Sequence, residues 1–156
     1  MIRGQNPSFA APLATTVFVV DSSVASSSYG NGLRYVPVRH GQSDSIVFQF
    51  IASATGVARL GIVYAMSSAA AAGVRLRVDV GQFGAGDAPT GSLSTGTAFT
   101  VTTPNDVNLH EITSSQSSDL AISVTAGKIV VVQVNRLGSD AADTHAGDLR
   151  ALLRVT

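Results

Sequence analysis

Val74-Arg75-Leu76-Arg77-Val78-Asp79-Val80 decides the fold. Apolar and charged residues alternate here without a slip, and a period of two is the period of a β-strand. Val74, Leu76, Val78 and Val80 form one face, and Arg75, Arg77 and Asp79 form the other. The alternation predicts a strand over 74–80, with its valine and leucine side against a core and its charged side outward.

The same period recurs on both sides. Upstream, the 45–51 segment places Ile46, Phe48 and Phe50 on one face, and the 57–66 segment does so with Leu60, Ile62, Tyr64 and Met66. The stretch 67–73 holds four consecutive alanines, too few to sustain a helix, and reads as a connection. Residues 15–20 form a short β-branched strand. A serine-rich loop over 21–31 follows, closed by the turn Tyr29-Gly30-Asn31-Gly32. The strand over 33–38 contains Pro37, which has no N–H and marks an edge position. Downstream, 81–96 is glycine-rich and loop-like. Strands are expected over 97–102 and 107–112 around a Pro104-Asn105-Asp106 turn, then over 120–124, 128–136 and 149–155. Roughly nine or ten short strands separated by turn signals call for an all-β antiparallel sandwich or barrel. Residues 1–14, with Pro7 and Pro12 and no periodicity, read as an extended N-terminal arm or a frayed end; residues 15–156 read as a single domain.

Composition supports this. Glu111 is the only glutamate and Lys128 the only lysine in 156 residues, whereas helices carry such residues on their solvent faces. The net charge is zero, which argues against nucleic acid as a partner. No apolar run approaches about 18 residues, so no membrane span is expected, and residues 1–7 lack the apolar core of a signal peptide. Cysteine is absent, which excludes disulfides and thiolate metal sites and leans toward assembly in a reducing cytosol. Charged residues are only 13%, low for a free monomer. Either the outer faces are coated in Ser, Thr and Ala, or other subunits cover them. The 128–134 strand favours the second account, because it is apolar on both faces. Ile129 and Val131 would meet water unless a further strand or a neighbouring subunit packs on them.

Reactive groups are sparse. His40, His110 and His145 have no metal-binding partner at i+2 or i+4. The loop 140–148 gathers Asp140, Asp143, His145 and Asp148, a set that suits a hard cation and equally suits an ordinary turn-rich loop. Glu111 and Asp106 do not form a recognisable catalytic carboxylate pair. No nucleophile elbow occurs, and Gly84-Ala85-Gly86-Asp87 reads more simply as a loop needing positive φ than as a phosphate cradle. Tyr29 and Tyr35 are the aromatic candidates for stacking a sugar, with core or interface packing as the alternative. No enzyme activity, cofactor or metal is expected.

The C-terminal third, from Val124-Thr125-Ala126-Gly127-Lys128 through Arg136 and Asp140 to Gly147-Asp148-Leu149-Arg150, resembles the closing strands of jelly-roll domains in tailed-phage virion proteins. Ser45-Ile46-Val47-Phe48-Gln49-Phe50 and Leu60-Gly61-Ile62-Val63-Tyr64-Ala65-Met66 resemble the strands that enter such a domain, so the likeness spans residues 40–156. It implies a homotrimeric jelly roll on a virion. The first expectation is a capsid decoration (cement) protein bound to the major capsid protein or other virion proteins, assembled in the host cytoplasm. Its subunit interface would include Ile129, Val131 and Arg136, and Arg136 would also pair with Asp140 or Asp148 to tie the last strands. The alternative is a tail- or fibre-associated receptor- or carbohydrate-binding jelly-roll module, binding through the loops 81–96 and 138–147.

Overall fold

A computed structural model describes residues 18–22, 27–28, 34–42, 44–88 and 91–156. In chain order the strands are β1 (Phe18–Ser22), β2 (Ser27–Ser28), β3 (Arg34–Val38), β4 (Ser45–Ile51), β5 (Gly56–Met66), β6 (Gly73–Phe83), β7 (Phe99–Thr102), β8 (His110–Ile112), β9 (Ala121–Val124), β10 (Ile129–Arg136) and β11 (Leu149–Val155). They build two antiparallel sheets, as a jelly-roll sandwich does. One runs β1-β4-β10-β6-β7. The other runs β2-β3-β11-β5-β8, with β9 also paired to β5. Late strands insert between early ones: β10 lies between β4 and β6, and β11 between β3 and β5.

The core follows the alternation. Ile46, Phe48 and Phe50 of β4, Leu60, Ile62, Tyr64 and Met66 of β5, and Val74, Leu76 and Val78 of β6 are all buried. Val130, Val132 and Val134 of β10 join them from the centre of the first sheet, and Leu149 and Ala151 of β11 from the second. Full burial of each large aliphatic or aromatic side chain stabilises by about 1.5–3 kcal/mol.

Among the boundaries that differ from the sequence reading are those of β6, β8 and β1. β6 continues through Gly81 and Gln82 to Phe83, because β10 pairs along its whole length, from Leu76–Arg136 to Phe83–Ile129. β8 begins only at His110. The Asp106 carboxylate accepts the Asn108 N–H (2.9 Å) and contacts His110 Nε2 (2.7 Å), which turns the chain away from the ladder and leaves Val107 and Leu109 exposed. β1 includes Asp21 and Ser22, placed opposite Val47 and Ile46. The arm 1–14 and the Tyr29 and Tyr35 side chains lie outside the described residues. Pro37 lies on β3 opposite Arg150 of β11, and β3 sits between β2 and β11 rather than at the edge of the sheet.

Asp79 corrects the expected face assignment in part. It points outward yet is only 7% exposed. Arg77, the Gly96 N–H and the Asn135 amide all donate to its carboxylate at 3.0 Å, roofing it with the returning 91–98 segment. Ile129 and Val131 do occupy the outer face, where Val131 lies between Gln49 and Gly81 and Ile129 between Ile51 and Phe83. Both are half-buried. On the neighbouring strand the Phe83 ring and Leu93 close over the bare backbone of Gly81.

Replacing Phe48 by Ala is expected to cost about 3–5 kcal/mol, because it empties the core. Replacing Ile51, 62% exposed, is expected to change stability by no more than about 0.5 kcal/mol. Urea unfolding of the two variants checks the assignment of faces.

Candidate functional site

Arg136 ends β10 with its guanidinium fully buried. Nε and Nη2 donate to the two Asp143 oxygens (2.9 and 2.7 Å), a bidentate pair. Nη1 donates to the carbonyls of Val38 (3.1 Å) and Gly147 (2.7 Å), and Nη2 also to that of His145 (2.6 Å). The group therefore joins β10, the end of β3 and the 138–148 loop. This corrects two expectations. Arg136 is enclosed by its own chain and presents no surface to another subunit, and its carboxylate partner is Asp143, not Asp140 or Asp148. Asp140 instead caps the Ala142 N–H and lies 3.8 Å from Arg75.

The same contacts decide what the 140–148 loop does. Asp143 also accepts the Arg75 N–H (3.1 Å) and meets His40 Nδ1 (3.1 Å). Burial pushes its carboxyl up, but Arg136, the Arg75 N–H and His40 outweigh that and hold it below the ordinary value. His145 is fully buried. Its Nδ1 accepts the Gly147 N–H (2.9 Å), which puts the proton of the neutral ring on Nε2. Burial, and then the Arg136 charge, lower its pKa against the Gly147 and Ala70 backbone dipoles. Asp140 and Asp143 are thus committed to internal partners, and among the described residues no three acidic, histidine or cysteine side chains converge as metal ligands.

Other candidates disperse. His110 pairs with Asp106, whose carboxyl the imidazole and the Asn108 N–H hold below its usual range. At Gly84–Asp87, Gly86 adopts φ 89°, and Asp87 accepts the Gly84 N–H (2.6 Å) and Lys128 Nζ (3.2 Å). That is a closed turn rather than an anion cradle.

Two concavities remain. One is a groove on the free side of β6. β7 pairs with β6 only as far as Leu76–Phe99, and beyond it a single bridge joins Val80 to Ser94. A recess lies against each side of that bridge. A part of about 190 Å³ is bounded by Val78, Thr95, Ser118, Asp119 and Ile122. A part of about 370 Å³ is bounded by Gly81, Gln82, Phe83 and Ser92. Asp119 is anchored through one oxygen, which accepts the Thr97 N–H (2.7 Å). The lining mixes the hydroxyls of Ser92, Ser94, Thr95 and Ser118 and the Asp119 carboxylate with aliphatic side chains, bare glycine backbone and one aromatic ring, Phe83.

The second concavity is a recess of about 120 Å³ on the outer face of the other sheet, walled by Arg59, Glu111, Arg154, Thr113 and Ser114 around Gly61. Glu111 on β8 and Arg154 on β11 flank β5 and form an ion pair (2.6–2.7 Å). The Glu111 carboxylate lies against Gly61, where any Cβ would overlap it. Sequence reading passed over this group because Glu111, Arg154, Arg59 and Gly61 are far apart in the chain and share no motif.

No protein-family model and no curated protein matches the chain. Solved structures do. A family 35 carbohydrate binding module from an environmental isolate superposes with a TM-score of 0.51 at 16% identity, covering 95% of this chain and 89% of that one. CBM35 from Cellvibrio japonicus Abf62 gives 0.50 at 14% identity, covering 95% and 90%. At these identities the likeness is one of fold: the all-β jelly-roll sandwich.

Removing the Arg136 side chain by substitution with Ala is expected to destabilise by about 3–5 kcal/mol, since the buried Asp143 loses its guanidinium partner. Asp140→Asn is expected to be nearly neutral. Stability should also fall with acid in two stages. Asp143 and His145 are shifted down from 3.8 and 6.5, so below each of these values the unfolded chain binds more protons than the fold does. Stability is therefore full above the ordinary histidine value and drops first as unfolded His145 charges. It drops again as pH falls through the depressed carboxyl of Asp143. Urea midpoints measured from neutral to acid pH read both limbs.

Proposed function

We propose that this chain is a non-catalytic carbohydrate-binding jelly-roll module. The observation that carries the reading is the pair of recesses along the free side of β6, which together offer the Ser92, Ser94, Thr95 and Ser118 hydroxyls, the Asp119 carboxylate and the Phe83 ring. A groove of this shape suits a linear glycan. Serine and threonine hydroxyls both donate to and accept from sugar hydroxyls, and an aromatic ring offers an apolar surface to a sugar face. The fold likeness to carbohydrate binding modules supports it. The groove is made of loop 91–98 and the β6 edge, so the earlier expectation of binding through 81–96 survives in this proposal and that through 138–147 does not.

A second reading has an observation of its own. The outer face of the first sheet carries Ile51, Ile129 and Val131, and Ile51 is 62% exposed. In this reading three copies pack these faces together and bind a phage shell, gaining strength from many repeated weak contacts.

Affinity electrophoresis against soluble polysaccharides separates the two. The carbohydrate reading expects retardation by at least one polysaccharide and about tenfold weaker retardation for Phe83→Ala. Migration unchanged in every gel, together with a trimer by light scattering, would overturn it in favour of the second.

A further inference from the structure

We propose that the recesses beside β6 select a neutral glycan and turn away uronic-acid polymers, with the Asp119 carboxylate as the group that decides. The inference rests on the carbohydrate reading of the same surface and adds the class of sugar. Among the described residues, Asp119 is the only charged side chain in either lining. One of its oxygens accepts the Thr97 N–H (2.7 Å). Among the described residues it takes part in no salt bridge. An ionised carboxylate has about four acceptor positions, so most of its capacity is left for a ligand. Sugar hydroxyls are donors of the right kind, and a hydrogen bond to a charged group is about twice as strong as a neutral one.

The carboxylate is set in place before any ligand arrives. Asp119 lies in the short 3-10 turn 118–120, whose Leu120 is fully buried. The 91–98 segment closes on the same spot because Gly96 has no side chain. A Cβ there would overlap the Val78 carbonyl and lie 3.0 Å from an Asp119 oxygen. Little order has to be gained on binding. Charge then gives the selectivity. Every residue of a uronic-acid polymer carries a carboxylate, and one of these beside Asp119 meets like charge. The cations of this flank are engaged with other carboxylates: Arg77 donates to Asp79 (3.0 Å) and Lys128 to Asp87 (3.2 Å). In the other recess the Phe83 ring offers an apolar surface, which suits the face of a neutral sugar. The two recesses share Val80 and Ser94. Strand β6 rises about 17 Å from Val78 to Phe83 at ~3.4 Å per residue, so a ligand that touches both recesses is a chain of sugars, not a single ring.

The test is an NMR titration of the whole chain at neutral pH with cello-, galacto- and manno-oligosaccharides, beside oligogalacturonates of equal length at matched ionic strength. The Ser94, Thr97 and Asp119 amides are expected to shift saturably with at least one neutral series, which binds about tenfold or more tighter than the oligogalacturonates. Asp119→Asn keeps an oxygen for the Thr97 N–H and removes the charge. It is expected to weaken neutral binding severalfold and to reduce the preference over oligogalacturonate about tenfold. Oligogalacturonate bound as tightly as every neutral series, or a preference unchanged in Asp119→Asn, would overturn the inference. The ranking measured on the native chain needs no variant, so it decides even where Asp119→Asn does not fold. Saturable shifts of these amides with oligogalacturonate alone remove this inference and leave the carbohydrate reading standing. No shift with any sugar, together with unretarded migration in every polysaccharide gel, removes both.

Discussion

The buried pair of Arg136 and Asp143 governs one end of the sandwich. A guanidinium taken out of water carries a desolvation cost of several kcal/mol, and only complete pairing offsets it. Here it finds the two Asp143 oxygens and three carbonyls, from Val38, His145 and Gly147. Those carbonyls belong to the end of β3 and to the loop that leads into β11. The loop 138–148 has no regular structure of its own, so its backbone acceptors need donors from elsewhere. Arg136 supplies them at the point where β10 leaves the first sheet and the chain crosses to the second. A lysine would not serve, since it lacks the planar fork that spans carboxylate and carbonyls together.

Much of this architecture was legible because the strand period is local information. Ile46, Phe48 and Phe50, or Leu60, Ile62, Tyr64 and Met66, declare their face within seven residues, and all are buried. Arg136 with an aspartate a few residues on was also visible as a pair, but which aspartate was not. Asp140, Asp143 and Asp148 look alike in sequence, and only the path of the loop turns Asp143 inward. The double-sided 128–134 strand pointed to cover over Ile129 and Val131, and both are half-buried within this chain. That Phe83 and Leu93 lie over Gly81 beside it depends on the long excursion after β6, whose return no short-range pattern predicts.

The polar recess was hidden for a related reason. Its residues come from β5, β8, β11 and the turn after β8, and none is unusual alone. One signal did exist: the solitary glutamate of the chain. In a sequence that uses aspartate for nearly every acidic position, a longer carboxylate at 111 reaches across a neighbouring strand, which an aspartate at the same place would not do.

Gly61 and Gly81 show how one device gives opposite results on the two sheets. Each is an outward-facing glycine within a long strand, which weakens the strand unless something uses the space. Over Gly81 the space is filled by apolar side chains, Phe83 and Leu93, and the surface becomes part of a groove wall. Over Gly61 it is filled by a charged carboxylate, and the surrounding arginines keep it polar. The turn 113–118 separates the two concavities, with Thr113 and Ser114 lining one and Ser118 the other. Both are therefore tied to rigid strands and share one loop as a partition. That loop is braced by its own hydrogen bonds, Thr113 donating to Gln116 through N–H (2.8 Å) and hydroxyl (3.1 Å). A partition fixed in this way keeps the two concavities in constant relation.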